Sequence, residues 1–156
     1  MTSPSSGTPS RPAAPADAAL FDALVAEHGA IYGYGLVSAH STPDVNDVVS
    51  DAMAEHRERR EAAIATLSSR GVAAPLPAPG YQLPIEVVGP ADATKLAIRM
   101  EEDCAVAWRA VLERADTAED RTFAMTALTQ TAMRAATWRT VAGMRPATVA
   151  FPGGKE

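Results

Sequence analysis

"VAAPLPAPGYQLPIEVVGP", residues 72–90, carries five prolines in nineteen residues and therefore cannot form a helix. It follows a predicted helix of about 28 residues, which is roughly 42 Å long at 1.5 Å per residue. Nineteen largely extended residues can span about 60 Å. This segment is therefore long enough to run the full length of the preceding helix and to start the next helix at the opposite end.

Four helical segments are predicted around this connection, each bounded by capping or helix-ending residues: about Asp17–His40, Pro43–Arg70, Ala91–Ala115 and Thr117–Gly143. The first and second segments are joined by about two residues, and the third and fourth almost as tightly. Such short connections make each pair an antiparallel hairpin. The sequence therefore predicts an all-α four-helix bundle over residues 16–143, with a long crossover between helices 2 and 3.

The two ends of the chain are predicted to lie outside the bundle. Residues 1–15 are rich in Ser, Pro and Ala, a composition typical of a flexible, disordered tail. Residues 144–156 are too short for a domain, and we expect this C-terminal tail to dock on the bundle through Val149, Ala150 and Phe151.

Composition and charge exclude several classes of function. The net charge of −5 argues against a nucleic-acid surface. No apolar run reaches the roughly 18 residues of a membrane span, and no signal-peptide pattern is present, so a cytoplasmic location is expected. Cys104 is the single cysteine and is predicted to be an inert core thiol.

Polar residues recur on the inner faces of the predicted helices. When the apolar stripe of each helix is turned inward, several ionisable or amide side chains face the interior near mid-helix. Mid-helix residues of a four-helix bundle share one layer, and buried charges are normally paired. We therefore expect one central polar cluster, made of Glu27, His28, His56, Arg60, Glu101, Gln130 and Arg134.

The chain resembles the ferritin-like superfamily in four blocks: "AEHGAIYGYG" at 26–35, "EHRERR" at 55–60, "EEDCAVAWR" at 101–109 and "RAATWR" at 134–139. More closely, over roughly residues 17–152, it is similar to a bacterial, largely actinobacterial, ferritin-like domain family of unknown function. The resemblance implies a ferritin-like four-helix bundle and, because dimers are common among such bundles, a homodimer.

A ferritin-like di-iron centre needs a Glu from each of two helices and a Glu-x-x-His from each of the other two. Glu27 and Glu101 match the single-Glu positions. Helix 2 has no Glu-x-x-His, and helix 4 has no acid or histidine from Thr122 to Gly143. Arg134 brings a cation to a place where a metal ligand is needed. The sequence therefore predicts an incomplete iron site.

Two interpretations of the central cluster stay open. In the first it is a structural network, in which two carboxylates, two arginines and one or two histidines balance charge with no cofactor and no catalytic residue. In the second it is a degenerate site for zinc, iron or manganese with an oxidoreductase or metal-storage role. The ligands would then be Glu27, His56 and Glu101, with His28 as a further candidate.

A third hypothesis is an interaction module. Gly33 is predicted to face outward among small apolar residues, where the C-terminal tail or a second subunit would cover it, while Gly35 makes room in the core for a tryptophan. A homodimer, an unidentified protein partner or a small ligand is each compatible with this hypothesis.

Overall fold

The structure is a computed structural model that describes residues 7–155. Within this range the chain forms four α-helices, one short 3-10 helix and no strand. The α-helices are α1 (Pro15–His40), α2 (Asn46–Ser69), α3 (Pro90–Arg114) and α4 (Ala118–Val141), and the 3-10 helix is Pro43–Val45. The predicted all-α class with four helices is confirmed. None of the helices in residues 7–155 is both long and apolar enough to cross a bilayer.

Proline and glycine set the helix ends. Pro15 and Pro90 open α1 and α3, where the missing N–H of proline would have no partner inside the helix. The side chain of Thr117 accepts a hydrogen bond from the Asp120 N–H at 3.1 Å and caps α4. Gly71 and Gly143 follow α2 and α4 with φ of 69° and 71°, conformations that glycine adopts without strain.

Helix α1 packs against α2 and α3, and α3 packs against α4. The direction of α2 follows from Arg70 at its C-terminal end. Arg70 donates to Asp17 in the first turn of α1 at 2.9 Å and to Asp120 in the first turn of α4 at 2.5 Å. The end of α2 therefore lies beside the beginnings of α1 and α4, and α2 is antiparallel to both.

Alanine lets these helices approach closely. Ala23, Ala52, Ala63, Ala97 and Ala127 are all fully buried between helices. The larger core side chains are few, and the largest fully buried ones are aromatic or leucine: Trp108, Trp138, Tyr34, Leu24, Leu67 and Leu96. The aromatic side chains thus bring polar N–H and O–H groups into the interior, where they need partners.

The connection from α2 to α3 lies against α1. The Pro75 carbonyl accepts a hydrogen bond from His28 Nε2 at 3.1 Å, and the ring of Tyr81 packs on Tyr32 with centroids 5.1 Å apart. A Cβ added at Gly29 would lie 3.8 Å from the Tyr81 ring. His28 therefore points at the connecting segment, which packs on α1 near Gly29 and Tyr32.

Gly33 and Gly35 of α1 exchange the orientations that the sequence predicted for them. Gly33 is buried, and a Cβ there would clash with Met100 Sδ. Gly35 is exposed, with open space around an added Cβ. The predicted outward orientation of Gly33 is therefore wrong, because Gly33 faces Met100 of α3.

Both tails contact the bundle where they are described. Of the predicted N-terminal tail, residues 1–6 lie outside the described part of the chain, and Arg11 pairs with Asp22 of α1 at 2.7 Å. Arg139 Nη1 donates to the Ala147 carbonyl at 3.3 Å. Gly153 has φ of 71° and lies directly on the backbone of Ala105 in α3.

Gly153→Ala should detach the C-terminal segment from α3. The new Cβ would clash with the Ala105 carbonyl oxygen, in addition to the roughly 1–2 kcal/mol cost of the left-handed conformation. We expect the backbone amide signals of Ala105 and Val106 to shift in a ¹H–¹⁵N NMR spectrum. Gly143→Ala is the matched control, because Gly143 has the same φ of 71° and no neighbour within 4 Å of an added Cβ. Unchanged Ala105 and Val106 signals in the Gly153 variant would contradict the contact.

Candidate functional site

Three helices bring four charged side chains together in the centre of the bundle. Glu27 of α1, His56 of α2 and Glu101 of α3 are fully buried, and Arg59 of α2 is 4% exposed. His56 bridges the two acids, since its Nδ1 lies 2.6 Å from Glu27 Oε2 and its Nε2 lies 3.2 Å from Glu101 Oε1. Arg59 Nε donates to Glu27 Oε1 at 2.9 Å. These four residues are called the ion network below.

Three aromatic residues supply further donors. Trp108 Nε1 donates to Glu27 Oε1 at 2.6 Å, and the Tyr34 hydroxyl donates to Glu101 Oε1 at 2.6 Å. Trp138 Nε1 of α4 in turn donates to the Tyr34 oxygen at 2.8 Å. Helix α4 therefore reaches the ion network through an indole and a phenol.

The protonation of His56 follows from its two acidic neighbours. Burial disfavours the charged ring, but hydrogen bonds to Glu101 and Glu27, with the charges of both carboxylates, raise the pKa of His56 from 6.5 to about 9. Burial also opposes the charge of Glu27, yet His56, Arg59 and Trp108 together lower the pKa of that carboxyl. With both acids ionised, two negative and two positive charges cancel at neutral pH.

One contact opposes this charge assignment. Arg59 Nη2 lies 2.9 Å from His56 Nδ1, so a protonated Nδ1 faces a guanidinium N–H. The ring keeps its proton because Glu27 and Glu101 contact both of its nitrogens, and two carboxylates outweigh one guanidinium.

Arg59 takes the place that the sequence assigned to Arg60. Arg60 lies at the surface, where its side chain is 30% exposed and pairs with Glu61 at 2.7 Å. Residues three and four positions after His56 both lie on its side of the helix, so spacing alone does not choose between them. The rotation of α2 against α1 turns Arg59 toward Glu27 and leaves Arg60 outside.

Arg134 and Gln130 of α4 lie between α4 and α2. Arg134 Nη2 donates to Glu55 at 2.7 Å and contacts neither acid of the ion network by a hydrogen bond or ion pair in the described residues. Gln130 accepts a hydrogen bond from Arg59 Nη1 at 3.2 Å and so touches the edge of the ion network.

The structure thus divides the seven predicted site residues into two groups. Glu27, His56 and Glu101 meet directly, and Gln130 joins them through Arg59. His28, Arg60 and Arg134 lie outside the ion network and have other partners: Pro75, Glu61 and Glu55. Sequence reasoning missed Arg59, Tyr34, Trp108 and Trp138. The signal for the aromatic residues was their type, since buried Tyr and Trp seek hydrogen-bond partners.

Some atoms of the centre have the chemistry of metal ligands. One ligand atom from each of Glu27, His56 and Cys104 lies within 4.8 Å of the others. Glu101 Oε2 is buried without a hydrogen-bond partner in the described residues. These atoms offer a mixed set of oxygen, nitrogen and sulfur donors.

A di-iron centre does not fit this set. Both oxygens of Glu27 already accept hydrogen bonds, from His56 on one side and from Arg59 and Trp108 on the other. A metal-bound histidine must lose its proton, and Arg59 would place a positive charge beside the ion. Burial, followed by the charges of Glu27 and Glu101, raises the pKa of the Cys104 thiol well above its usual value, so the thiol stays protonated.

Comparison with known proteins places the chain among relatives without an assigned activity. A family model described as "Domain of unknown function (DUF4439)" matches residues 19–156. Among solved structures, the chain is similar to a conserved hypothetical protein, rv2844, from Mycobacterium tuberculosis, with 56% identity and a TM-score of 0.81. That match covers 83% of this chain and 98% of the other. No curated protein matches. The predicted membership of a family of unknown function is confirmed.

Proposed function

We propose that this chain, a member of the DUF4439 family, is a ferritin-like bundle that acts as a binding or interaction module. In this proposal the closed ion network lies where a ferritin-like protein would hold a di-iron site. Glu27 carries this proposal. Its carboxylate accepts three hydrogen bonds from the chain itself, from His56, Arg59 and Trp108. A carboxylate so fully occupied has little capacity left for a metal or a substrate.

The ferritin-like connectivity is supported by the direction of the helices. The end of α2 lies beside the starts of α1 and α4, as the Arg70 ion pairs require. Helices α3 and α4 pack closely and are joined by a short connection, so α3 starts at the opposite end of the bundle. The connection from α2 to α3 would therefore run beside α1 from one end of the bundle to the other, as a long crossover of the ferritin-like type does.

The burial of the ion network supports a structural role over a catalytic one. Its four charges cancel, and Glu27, His56 and Glu101 have no exposed surface through which a substrate could reach them. Buried ion pairs add little net stability, because desolvation offsets most of the Coulomb attraction, but their geometry can favour one helix register. The protein would then act through its surface, by binding a partner.

A single metal ion is the second candidate, favoured by the partnerless Glu101 Oε2 and by the cluster of Glu27, His56 and Cys104. Mixed nitrogen, oxygen and sulfur ligands suit zinc better than iron or manganese. Binding would require His56 to lose its proton and Arg59 to move away.

Elemental analysis of the full chain, purified without chelator from medium containing zinc, iron and manganese, separates the two candidates. A closed ion network predicts less than about 0.1 metal ion per chain and no rise in melting temperature on adding Zn²⁺. Cys104→Ala is the diagnostic variant. About one ion per wild-type chain, lost in Cys104→Ala, would favour the metal site and overturn the closed network.

A further inference from the structure

The C-terminal segment, residues 147–154, crosses α3 and α4 with open space beneath its middle. Both of its ends are held on the bundle: the Ala147 carbonyl accepts a hydrogen bond from Arg139 Nη1 at 3.3 Å, and Gly153 lies directly on the backbone of Ala105. Between these two anchors, Val149 and Pro152 leave room below them on the helices. The C-terminal segment therefore forms the roof of a cleft.

Two adjoining cavities make up this cleft. The first, of about 420 Å³, lies between α3, α4 and the C-terminal segment, and the second, of about 370 Å³, lies between α4 and the same segment. Ala132, Val149 and Pro152 line both cavities, so the two meet beneath the middle of the segment. Each cavity has the volume of a typical site for a small molecule.

The two ends of the cleft differ in chemistry. The first cavity is lined by two cations and two acids: Arg99, Glu102, Asp103 and Arg139. The second cavity has no charged residue in its lining, and Met125 and Met133 contribute side chains that are 52% and 67% exposed. Methionine side chains adapt their shape to apolar ligands. A ligand that matches both ends is charged at one end and apolar at the other.

The charge of the ligand follows from the two ion pairs of the first cavity. Arg139 is a buried cation, with a side chain 9% exposed, and its partner Glu102 is 43% exposed. Arg99 and Asp103 are both 54% exposed. An opposite charge gains more beside a buried ion than beside an exposed one. Arg139 is therefore the strongest anchor in the cleft, and Glu102 is a partner that can turn into water.

We propose that this cleft binds an amphipathic monocarboxylate, which is an acid with a flexible apolar chain. The carboxylate replaces Glu102 at Arg139, so the buried guanidinium keeps a negative partner. The chain passes Ala132 and buries its methylene groups beside Met125. An amine with the same chain fits less well, because Asp103 is an exposed acid and surface ion pairs contribute little. This inference rests on the proposed function of binding at the surface and names its ligand class.

Calorimetric titration of the full chain with sodium decanoate tests the proposal. We expect saturable binding of about one decanoate per chain. Hexanoate should bind at least about tenfold more weakly, because each buried methylene contributes about fourfold in affinity. Decan-1-ol, which keeps the chain and lacks the charge, should also bind about tenfold more weakly. Equal affinities for decanoate and hexanoate, or for decanoate and decan-1-ol, would overturn the proposal.

Two neighbouring acids separate replacement of Glu102 from a general effect of charge. Glu102→Gln should raise the affinity for decanoate by about threefold or more, because the amide competes less well for Arg139. Asp103→Asn is the matched control, since it removes the same charge from an exposed pair with Arg99 and should have a smaller effect. Equal gains in the two variants would contradict the assignment of the carboxylate to Arg139.

The path of the chain is tested at the junction of the two cavities. Ala132→Leu places a larger side chain where the cavities meet and should weaken decanoate binding by about tenfold. Thr126→Leu is the matched control, because Thr126 is exposed on α4 and lines neither cavity. Circular dichroism checks that both variants keep their helices. Unchanged affinity in a folded Ala132→Leu would overturn the path.

The remaining outcomes separate this inference from the proposed function. A wild type that binds no decanoate would overturn the inference, and sedimentation of that protein with phosphatidylglycerol vesicles would point to a membrane surface instead. A metal-free chain that binds no decanoate would still leave the closed ion network standing. A metal-loaded chain that binds decanoate would refute only that network.

Discussion

Arg59→Met lowers the free energy of unfolding by about 3–5 kcal/mol, because it removes one partner of a buried ion pair. Glu27 would keep His56 and Trp108 as donors but would lose the guanidinium that contacts Oε1 at 2.9 Å. The ion network would then hold two carboxylates and one imidazolium, an uncompensated negative charge in the core. Urea denaturation at pH 7, followed by tryptophan fluorescence, measures the loss.

The neighbouring arginine is the matched control for this experiment. Arg60→Met changes the same chemical group one residue further along α2, where the side chain is 30% exposed and pairs with Glu61. Surface ion pairs contribute about 0–1 kcal/mol, so this variant should unfold almost as the wild type does. Equal losses for the two variants, or a larger loss for Arg60→Met, would show that Arg59 is not the cation of the ion network.

Stability should fall as the pH rises from 6.5 to 9. The pKa of His56 is raised from 6.5 in the unfolded chain to about 9 in the folded one, so the folded state binds a proton that the unfolded state has released in this interval. The stabilisation is complete below pH 6.5 and is lost as the pH passes 9. A shift from 6.5 to about 9 corresponds to about 3 kcal/mol at 1.36 kcal/mol per pH unit.

Urea unfolding at about pH 6.5, 7.5, 8.5 and 9.5 measures the slope of the free energy of unfolding against pH. His56→Gln should lower stability and flatten the slope, whereas His40→Gln should retain it, because His40 lies outside the ion network and bonds to the Leu36 carbonyl. At acid pH the free energy of unfolding should change in the opposite direction and fall as the pH falls. The pKa of Glu27 lies below 4.5, so its contribution is present above pH 4.5 and is lost as the pH falls through the lowered value. A wild-type slope that persists in His56→Gln would place the titrating group elsewhere.

The elements of the fold could be predicted because they depend on local signals. The apolar stripe of each helix, its proline or glycine ends and the proline-rich residues 72–90 all act over a few residues. The predicted start of helix 2 is three residues early, because Pro43–Val45 form a 3-10 turn before α2 begins at Asn46. A 3-10 turn is frequent at the start of an α-helix, which explains this shift.

The partners in the centre could be predicted only in part. Glu27, His56 and Glu101 were found because their mid-helix positions share a layer whatever the exact rotation of each helix. The choice between Arg59 and Arg60 depends on rotating α2 by about 100°, the angle between successive residues. Arg134 was misplaced for a related reason: Glu55 of α2 lies within reach and offers a partly exposed partner at lower desolvation cost.

By itself, then, the sequence determined the helices, their hairpins and the layer in which the acids and the histidine meet, because each follows from periodicity and chain length. The tertiary structure decided which arginine enters that layer and that Met100 occupies the space beside Gly33. These outcomes depend on how each helix is rotated against its neighbours. That rotation is chosen by the packing of all four helices together and is not encoded in any one segment.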